Sequence, residues 1–401
     1  MRTMLAIADA STPLRPHPKL IGAGLLAFAA LEAASILQWL AGPQMPPFDD
    51  FFGLWSFGKF AAAAGPAIYN PAALQAFQHM LDPAFSGGYP YPYPPTFALV
   101  LAPLGMLPLG AAYALWICGT FAIYALVTLR GDWRSLYGLA LVAAPTTLIT
   151  VVSGQNGFVS AALLAGGLSC LKRSPIASGI LLGLLAYKPQ LGILVPVVLL
   201  ASRQWRATLS ACLTVLAAVI ASSTEFGWFI WLDWLRDMPL YWDALRVNQA
   251  HLLHLMPTVL AGMTELGVPK PMGYAAQMLV AAVLAVIVWR LASRALDERC
   301  VAAAIAATAL ATPYAFTYDM PMLTAALVIA ARMRQRCGNP VQIWEIAVVV
   351  LLFAVLMGMT GHALPLVAPT LMGIVFCTIA VTKHGSPHHV SKAWMVRLRA
   401  P

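Results

Sequence analysis

The sequence has little charge. Asp, Glu, Lys and Arg make up 10% of its 401 residues, whereas 60% are hydrophobic and the mean hydropathy is +0.78. Soluble domains carry about 25% charged residues, so this composition excludes an ordinary soluble globular protein. Long Leu, Ala and Val runs without two-residue alternation indicate membrane helices rather than a transmembrane barrel. The sequence therefore predicts an all-α polytopic membrane protein.

Several motifs of common enzyme classes are missing as well. There is no Walker loop, no glycine-rich dinucleotide fingerprint and no Gly-x-Ser-x-Gly sequence, so chemistry on a cytoplasmic nucleotide is not indicated. No Cys-x-x-Cys pair occurs among the six scattered cysteines, which we interpret as small apolar packing residues. The net charge of +9 lies in short clusters between apolar runs, a pattern typical of cytoplasmic loops rather than of nucleic-acid binding.

The basic clusters predict the topology. They fall in every second connection between apolar runs, at the N-terminus, 130–134, 172–173, 203–206, 290–299, 332–336 and the C-terminal tail. By the positive-inside rule these connections are cytoplasmic, which predicts about twelve transmembrane helices (about ten to thirteen) and two cytoplasmic termini. Residues 1–19 and 383–401 are then cytoplasmic tails, and residues 20–382 form one transmembrane domain with extracytoplasmic loops at 43–108 and 225–271.

The first long loop extends from Pro47 to Pro95. Loops of this length are usually functional or disordered, and recurrent aromatic residues with sparse charge argue against disorder. Apolar residues at spacings of three and four predict a helix from Asp50 to Ala64, and Asn70-Pro71 predicts the start of a second helix over Ala72 to Leu81. Both helices are expected to lie on the membrane surface with their apolar sides toward lipid.

Polar motifs collect on the extracytoplasmic side of this topology. They are Asp49-Asp50, Gln155-Asn156, Lys188, the segment from Glu225 to His254, and Tyr318-Asp319. The charge rule does not require this clustering, so it indicates a functional site at that face of the membrane.

Asp49 and Asp50 are the candidates for acid–base chemistry. A carboxylate serves as a general base if it reaches an acceptor hydroxyl at hydrogen-bond distance. One of the two residues also suits the N-cap of the following helix, and a carboxylate pair can bind a hard cation. Lys188, which interrupts an apolar run, is a candidate for binding a phosphate, or else it extends to the lipid headgroups.

The remaining candidates are polar residues between helices. Gln155 and Asn156 either hydrogen-bond a sugar or close a polar turn. His251 and His254 share one helix face if their segment is helical, where they bind a phosphate or orient a carboxylate. Two histidines alone are a weak metal site. Asp319 is either a second polar contact or the N-cap of a helix.

Five motifs in order carry a resemblance to a known family. They are Asp50-Phe51 with Trp55, Tyr69-Asn70-Pro71, Tyr93-Pro94-Pro95, Gly154-Gln155-Asn156 and Lys188-Pro189. With these motifs, residues 45–206 resemble glycosyltransferase family 87, a family of polytopic enzymes with the C-type glycosyltransferase fold. The family includes bacterial mannosyltransferases that take sugar from a polyprenyl-phosphate donor.

The resemblance implies a reaction and its partners. Asp50, or Asp49 beside it, is expected to be the base of an inverting hexose transfer, with mannose as the expected sugar, from a polyprenyl-phosphate donor to a glycolipid or glycan acceptor. The expected site faces outward from a bacterial-type plasma membrane and uses no cofactor and no metal ion. The residues expected to contact the donor phosphate are Lys188, His251 and His254, and those expected to contact sugar or acceptor are Trp55, Tyr93, Gln155, Asn156 and Asp319.

Two other functions fit parts of the sequence. A secondary transporter requires ionisable residues near the membrane midplane and internal repeats. Glu32 alone meets the first condition, and no clear repeat is evident. A lipid- or polysaccharide-handling protein without glycosyl transfer would tolerate replacement of Asp50, whereas an enzyme would not tolerate Asn there.

Overall fold

The structure is a computed structural model that describes residues 18–42, 50–85, 87–132, 136–247, 252–339 and 341–382. Within these ranges the chain forms eighteen α-helices joined by turns and short 3-10 segments, with no β-strand. This result confirms the all-α prediction. Asp49 and His251 lie outside the described residues, and so do the predicted tail at 383–401 and most of the tail at 1–19.

The helices follow one another closely along the chain. The first nine are α1 (Pro18–Ala41), α2 (Asp50–Ala64), α3 (Pro71–Leu81), α4 (Pro95–Gly105), α5 (Leu109–Leu129), α6 (Leu136–Val142), α7 (Pro145–Ser153), α8 (Gly157–Cys170) and α9 (Pro175–Leu184). The other nine are α10 (Val195–Ala201), α11 (Trp205–Phe226), α12 (Ile230–Val247), α13 (Val259–Glu265), α14 (Lys270–Arg294), α15 (Glu298–Ala311), α16 (Pro321–Arg336), α17 (Ile343–Gly358) and α18 (Val367–Val381).

Three helices of the described chain, α5, α11 and α14, are long and apolar enough to cross a membrane. A fourth span arises if α6 and α7 are counted as one broken helix, which bends by 41° at the break between them. Several further helices are apolar but shorter, so the predicted number of about twelve spans is not confirmed. Prolines explain part of the difference, because they divide apolar runs, as Pro189 does between α9 and α10.

Helix α15 lies at the centre of the bundle. Every residue from Cys300 to Ala311 is buried. Its many alanines allow α8, α14, α16 and α18 to pack against it from several sides. The loop that follows α15 therefore begins at the centre of the helix bundle. This loop carries Asp319.

Helix α2 has the predicted bounds but a different environment. Ten of its fifteen residues are buried, among them Phe51 and Phe52 at its start. The helix packs along α4, which covers the side that was expected to face lipid. The prediction that α2 lies on the membrane surface is therefore not supported, because α4 and the aromatic residues around it enclose the helix within the protein.

Helix α3 begins at the predicted signal. Asn70 Oδ1 accepts a hydrogen bond from the backbone N–H of Ala73 at 3.1 Å, and Pro71 occupies the first helical position. Further along α3, Gln78 accepts a hydrogen bond from the N–H of Tyr89 at 2.9 Å and donates one to its carbonyl oxygen at 3.1 Å. These two hydrogen bonds hold the backbone of Tyr89, the first residue of the segment Tyr89–Pro95 that carries Tyr93.

Candidate active site

The turn between α7 and α8 carries Gln155 and Asn156 into the interior. It begins with Gly154, whose φ of +65° is a left-handed conformation that glycine adopts without strain. It ends at Gly157, where an added Cβ would lie 1.8 Å from the carbonyl oxygen of Tyr318. The turn therefore lies directly against the loop that follows α15.

Gln155 reaches from this turn to Asp50, the first residue of α2. Its Nε2 donates a hydrogen bond to Asp50 Oδ2 at 3.3 Å. Its Oε1 is buried and has no hydrogen-bond partner among the described residues. The half-buried Asp50 carboxylate thus lies beside a hydrogen-bond acceptor, Gln155 Oε1, that has no donor in the described part of the chain. This arrangement suits a ligand that carries hydroxyl groups.

A buried charged network lies on the other side of the turn. Lys188 is 3% exposed and Asp319 is 1% exposed. Lys188 Nζ donates to Asp319 Oδ1 at 2.5 Å and to Asn156 Oδ1 at 2.8 Å, and it lies 5.0 Å from the centre of the Tyr318 ring. Asn156 Nδ2 in turn donates to the Tyr93 hydroxyl at 2.9 Å. Four predicted site residues therefore meet in one network.

Lys188 is placed by a break in its helix. A 3-10 turn at Leu185–Tyr187 precedes it, and a second at Pro189–Gly192 follows it. The side chain points into the protein instead of extending to lipid headgroups, and Asp319 neutralises its charge. Direct binding of a phosphate by Lys188 stays a prediction. The contacts present in the structure are those of a residue that holds Asn156 and Asp319 together.

Asp319 is held from two directions. Its Oδ2 accepts a hydrogen bond from the backbone N–H of Phe316 at 3.1 Å, which closes the turn Thr317–Asp319, while Oδ1 contacts Lys188. The position before α16 is occupied by Met320, so Asp319 is not the N-cap of that helix. Of the two alternatives for Asp319, the structure supports a polar contact within the site.

Tyr318 joins the two parts of the site. Burial raises the pKa of its hydroxyl well above the ordinary value, and the neighbouring groups that add to this rise include Tyr93, Asp319 and Asp50. The Tyr318 ring lies 5.0 Å from Lys188 Nζ, and its carbonyl oxygen lies against Gly157, at the end of the turn that carries Gln155.

His254 lies on a segment that is attached to the turn carrying Asp319. The carbonyl oxygen of the next residue, Leu255, accepts a hydrogen bond from the N–H of Thr317 at 2.9 Å. Burial raises the pKa of Glu265, and the nearby charge of His254 partly offsets that rise. The structure thus brings His254 to the neighbourhood of the site and places it close to an acidic side chain.

Trp55 supports the fold around the site. Its indole Nε1 donates to the carbonyl oxygen of Leu107 at 2.9 Å, and the side chain is 8% exposed. These contacts tie α2 to the turn before α5. A contact between Trp55 and sugar stays a prediction.

Two polar residues of the site were not predicted from the sequence, Tyr187 and Ser160. Their hydroxyl oxygens lie 2.6 Å apart, and the Tyr187 ring stacks on Phe97 with a centroid distance of 4.5 Å. A tyrosine directly before Lys188 in an apolar run was an available signal, because a buried phenol usually has a hydrogen-bond partner. Ser160 offered no such signal, since a small hydroxyl residue is common in apolar helices.

Gly157→Ala is expected to destabilise the protein by about 1–3 kcal/mol, the usual cost of overpacking. The added methyl group would overlap the carbonyl oxygen of Tyr318, so α8 and the Asp319 turn would have to separate. Gly119→Ala on α5 is the matched control, since it enters open space and should be neutral or slightly stabilising. Thermal unfolding in detergent compares the two variants. Equal melting temperatures would contradict the close approach at Gly157.

The family of the chain follows from comparison with known proteins. The model of glycosyltransferase family 87 matches residues 91–317, which is more than half of the chain. The match begins later and ends later than the residues 45–206 that carry the resemblance, so Asp50 precedes it and Asp319 follows it. No curated protein and no solved structure matches the sequence. With its apolar helices and this family match, the chain belongs to glycosyltransferase family 87 and is a membrane-embedded glycosyltransferase.

Proposed function

We propose that the protein transfers a hexose, with mannose as the first candidate, from a polyprenyl-phosphate donor to a hydroxyl of a lipid or glycan acceptor. The transfer inverts the anomeric configuration and takes place on the extracytoplasmic side of the membrane. The observation that carries the proposal is the Asp50 carboxylate held by Gln155 beside a buried charged network. A lipid-linked donor suits a site among apolar helices, because its chain can stay in the bilayer while its head enters the protein.

Asp50 is the proposed general base. It takes the proton of the acceptor hydroxyl while the acceptor oxygen attacks the anomeric carbon. The bond from that carbon to the phosphate oxygen breaks, and its electron pair leaves with polyprenyl phosphate. Gln155 donates to Oδ2 of Asp50, which favours the ionised carboxylate that a general base requires.

Positive charge for the leaving phosphate is proposed to come from two places. His254, together with His251, is the candidate for direct contact, since its segment is attached to the Asp319 turn. Lys188 donates a hydrogen bond to Asn156, and its ion pair with Asp319 offsets much of the charge of the ammonium group. We therefore assign Lys188 mainly to positioning Asn156 and Tyr93, which with Gln155 Oε1 are the proposed contacts for sugar hydroxyls.

The proposed reaction uses no metal ion, because protein cations can meet the charge of a monophosphate leaving group. Within the described ranges, no group of three or more His, Cys, Asp or Glu side chains is placed to hold a metal. Transfer is expected to retain more than about half of its rate in EDTA, measured with radiolabelled donor. Full loss in EDTA with recovery on adding Mg²⁺ or Mn²⁺ would contradict this mechanism.

The function is tested with purified protein in nanodiscs. Radiolabelled polyprenyl-phosphate sugars are supplied one at a time with a membrane-lipid extract, and labelled product is separated from donor. Transfer from one of these donors supports the proposal. Nucleotide sugars are supplied in parallel reactions. If the protein transfers sugar from a nucleotide sugar and from none of the polyprenyl-phosphate sugars, the proposed donor is wrong.

The family match favours an enzyme over the transport alternative. Glu32, the carboxyl on which the transport alternative rests, lies on α1 and is 4% exposed.

A further inference from the structure

An open cleft of about 510 Å³ lies beside α12, apart from the Asp50–Gln155 pair. One wall is the 3-10 turn Gly65–Tyr69 and the start of α3. The opposite wall is α12, which contributes Asp233, Arg236 and Asp237. None of the three α12 residues has a role in the mechanism above.

One tyrosine connects this cleft to the candidate active site. Tyr69 lines the cleft, and its hydroxyl donates a hydrogen bond to the carbonyl oxygen of Tyr93 at 2.7 Å. The Tyr93 side chain accepts from Asn156 at 2.9 Å, and Asn156 directly follows Gln155, which holds Asp50. A ligand in the cleft would therefore lie against Tyr69, whose hydroxyl is hydrogen-bonded to the backbone of Tyr93 in the candidate active site.

The α12 wall combines carboxylates with a guanidinium. Asp233 and Asp237 are four residues apart, so they lie on the same side of the helix. Arg236 approaches Asp233 at 3.8 Å and is largely exposed. Burial raises the pKa of Asp237 and the neighbouring Asp233 adds to the rise, while no ion pair joins Asp237 to a cation within the described ranges. The α12 wall thus presents two carboxylates that accept hydrogen bonds and one guanidinium that donates them, close enough together to contact a single ligand.

Sugar hydroxyls fit this wall better than ions do. Two carboxylates repel a phosphate, and the adjacent guanidinium disfavours a divalent cation. The side-chain oxygen of Asn70, a third possible metal ligand in the cleft, already accepts the N–H of Ala73. Sugar hydroxyls, by contrast, can donate to the carboxylates and accept from the guanidinium at the same time.

We propose that this cleft binds a neutral carbohydrate head of the acceptor through Asp233, Asp237 and Arg236. The inference rests on the proposed function and deepens it, because it assigns the acceptor to neutral glycans and separates its binding site from the donor phosphate site.

The first test measures binding without catalysis. Neutral oligosaccharides built from mannose, glucose or galactose are titrated into the full-length protein in nanodiscs, and tryptophan fluorescence is recorded, since Trp231 and Trp234 lie on α12. The variants are the double variant Asp233→Asn/Asp237→Asn and the control Glu225→Gln, which removes one exposed carboxylate outside the cleft. At least one oligosaccharide is expected to bind wild type and control with similar Kd and the double variant about tenfold or more weakly.

Three outcomes would overturn the proposal. No oligosaccharide binds, or binding is equal in the double variant, or only inorganic phosphate or Ca²⁺ gives a saturable signal that depends on the two aspartates. Elution as a single species on size exclusion ensures that the double variant is folded.

A second readout separates this inference from the proposed function. If wild type transfers sugar to the bound oligosaccharide, the double variant should raise the KM for that acceptor about tenfold, while the KM for donor changes less than about twofold. If no variant transfers sugar although binding still depends on the two aspartates, the proposed reaction fails and the cleft assignment stands. A changed donor KM with an unchanged acceptor KM would place donor, not acceptor, in the cleft.

Discussion

Asp50→Asn is expected to remove detectable sugar transfer while the fold remains intact. General-base catalysis contributes about 10²- to 10⁴-fold to a rate, and kcat should fall by about that factor because an amide cannot take the acceptor proton. The fold should survive, since Asp50 is half-buried at the first position of α2 and Asn suits a helix start nearly as well. Loss of its charge near the helix N-terminus costs about 0.3–1 kcal/mol.

Two control variants make this result specific. Asp82→Asn removes an equivalent charge just after α3, where the carboxylate accepts a local hydrogen bond from the N–H of Ala84 at 3.0 Å. Transfer should stay within about twofold of wild type. Asp49→Asn tests the other candidate base. Full activity in Asp50→Asn with loss in Asp49→Asn would move the role by one residue. Activity in both variants would rule out an aspartate base at this position.

Removing one partner of the Lys188–Asp319 pair is expected to destabilise the protein strongly. Both side chains are almost fully buried, and breaking a buried ion pair costs about 3–5 kcal/mol because the remaining charge has no partner. Lys188→Met leaves the Asp319 carboxylate unpaired, and Asp319→Leu leaves the ammonium unpaired. Denaturant unfolding of each variant in detergent, followed by far-UV circular dichroism, measures the loss.

The double variant Lys188→Met/Asp319→Leu should recover much of that stability, since no unpaired charge remains in the interior. Transfer should not recover with it, because Asn156 Oδ1 loses the ammonium that holds it in place. Strictly additive losses of stability would show that the two side chains do not pair in the folded protein. Recovery of full activity would contradict the positioning role of Lys188.

Local signals in the sequence predicted the elements around the site. The helix from Asp50 to Ala64 has the predicted bounds, and Asn70-Pro71 starts α3. Capping residues, prolines and the spacing of apolar residues act over a few positions, so they can be recognised without the rest of the chain. The family resemblance rested on motifs of the same short length, and the family match confirms it.

Contacts within the site required the tertiary structure. The topology predicted that the polar motifs share one face, but not which side chains pair. Gln155 is 105 residues from Asp50, and Lys188 is 131 residues from Asp319. Whether Lys188 contacted a phosphate, the lipid headgroups or a carboxylate depended on which loop packs beside the break in its helix. That neighbour is the loop after α15.

The sequence by itself determined that this protein is an all-helical membrane enzyme of its family, because low charge, long apolar runs and short ordered motifs carry that information locally. Only the tertiary structure decided that α2 is enclosed by α4, that Gln155 orients Asp50, and that Asp319 neutralises Lys188. The physical reason is the same in each case. Burial and pairing depend on helices that are distant in the chain and meet only when the bundle packs.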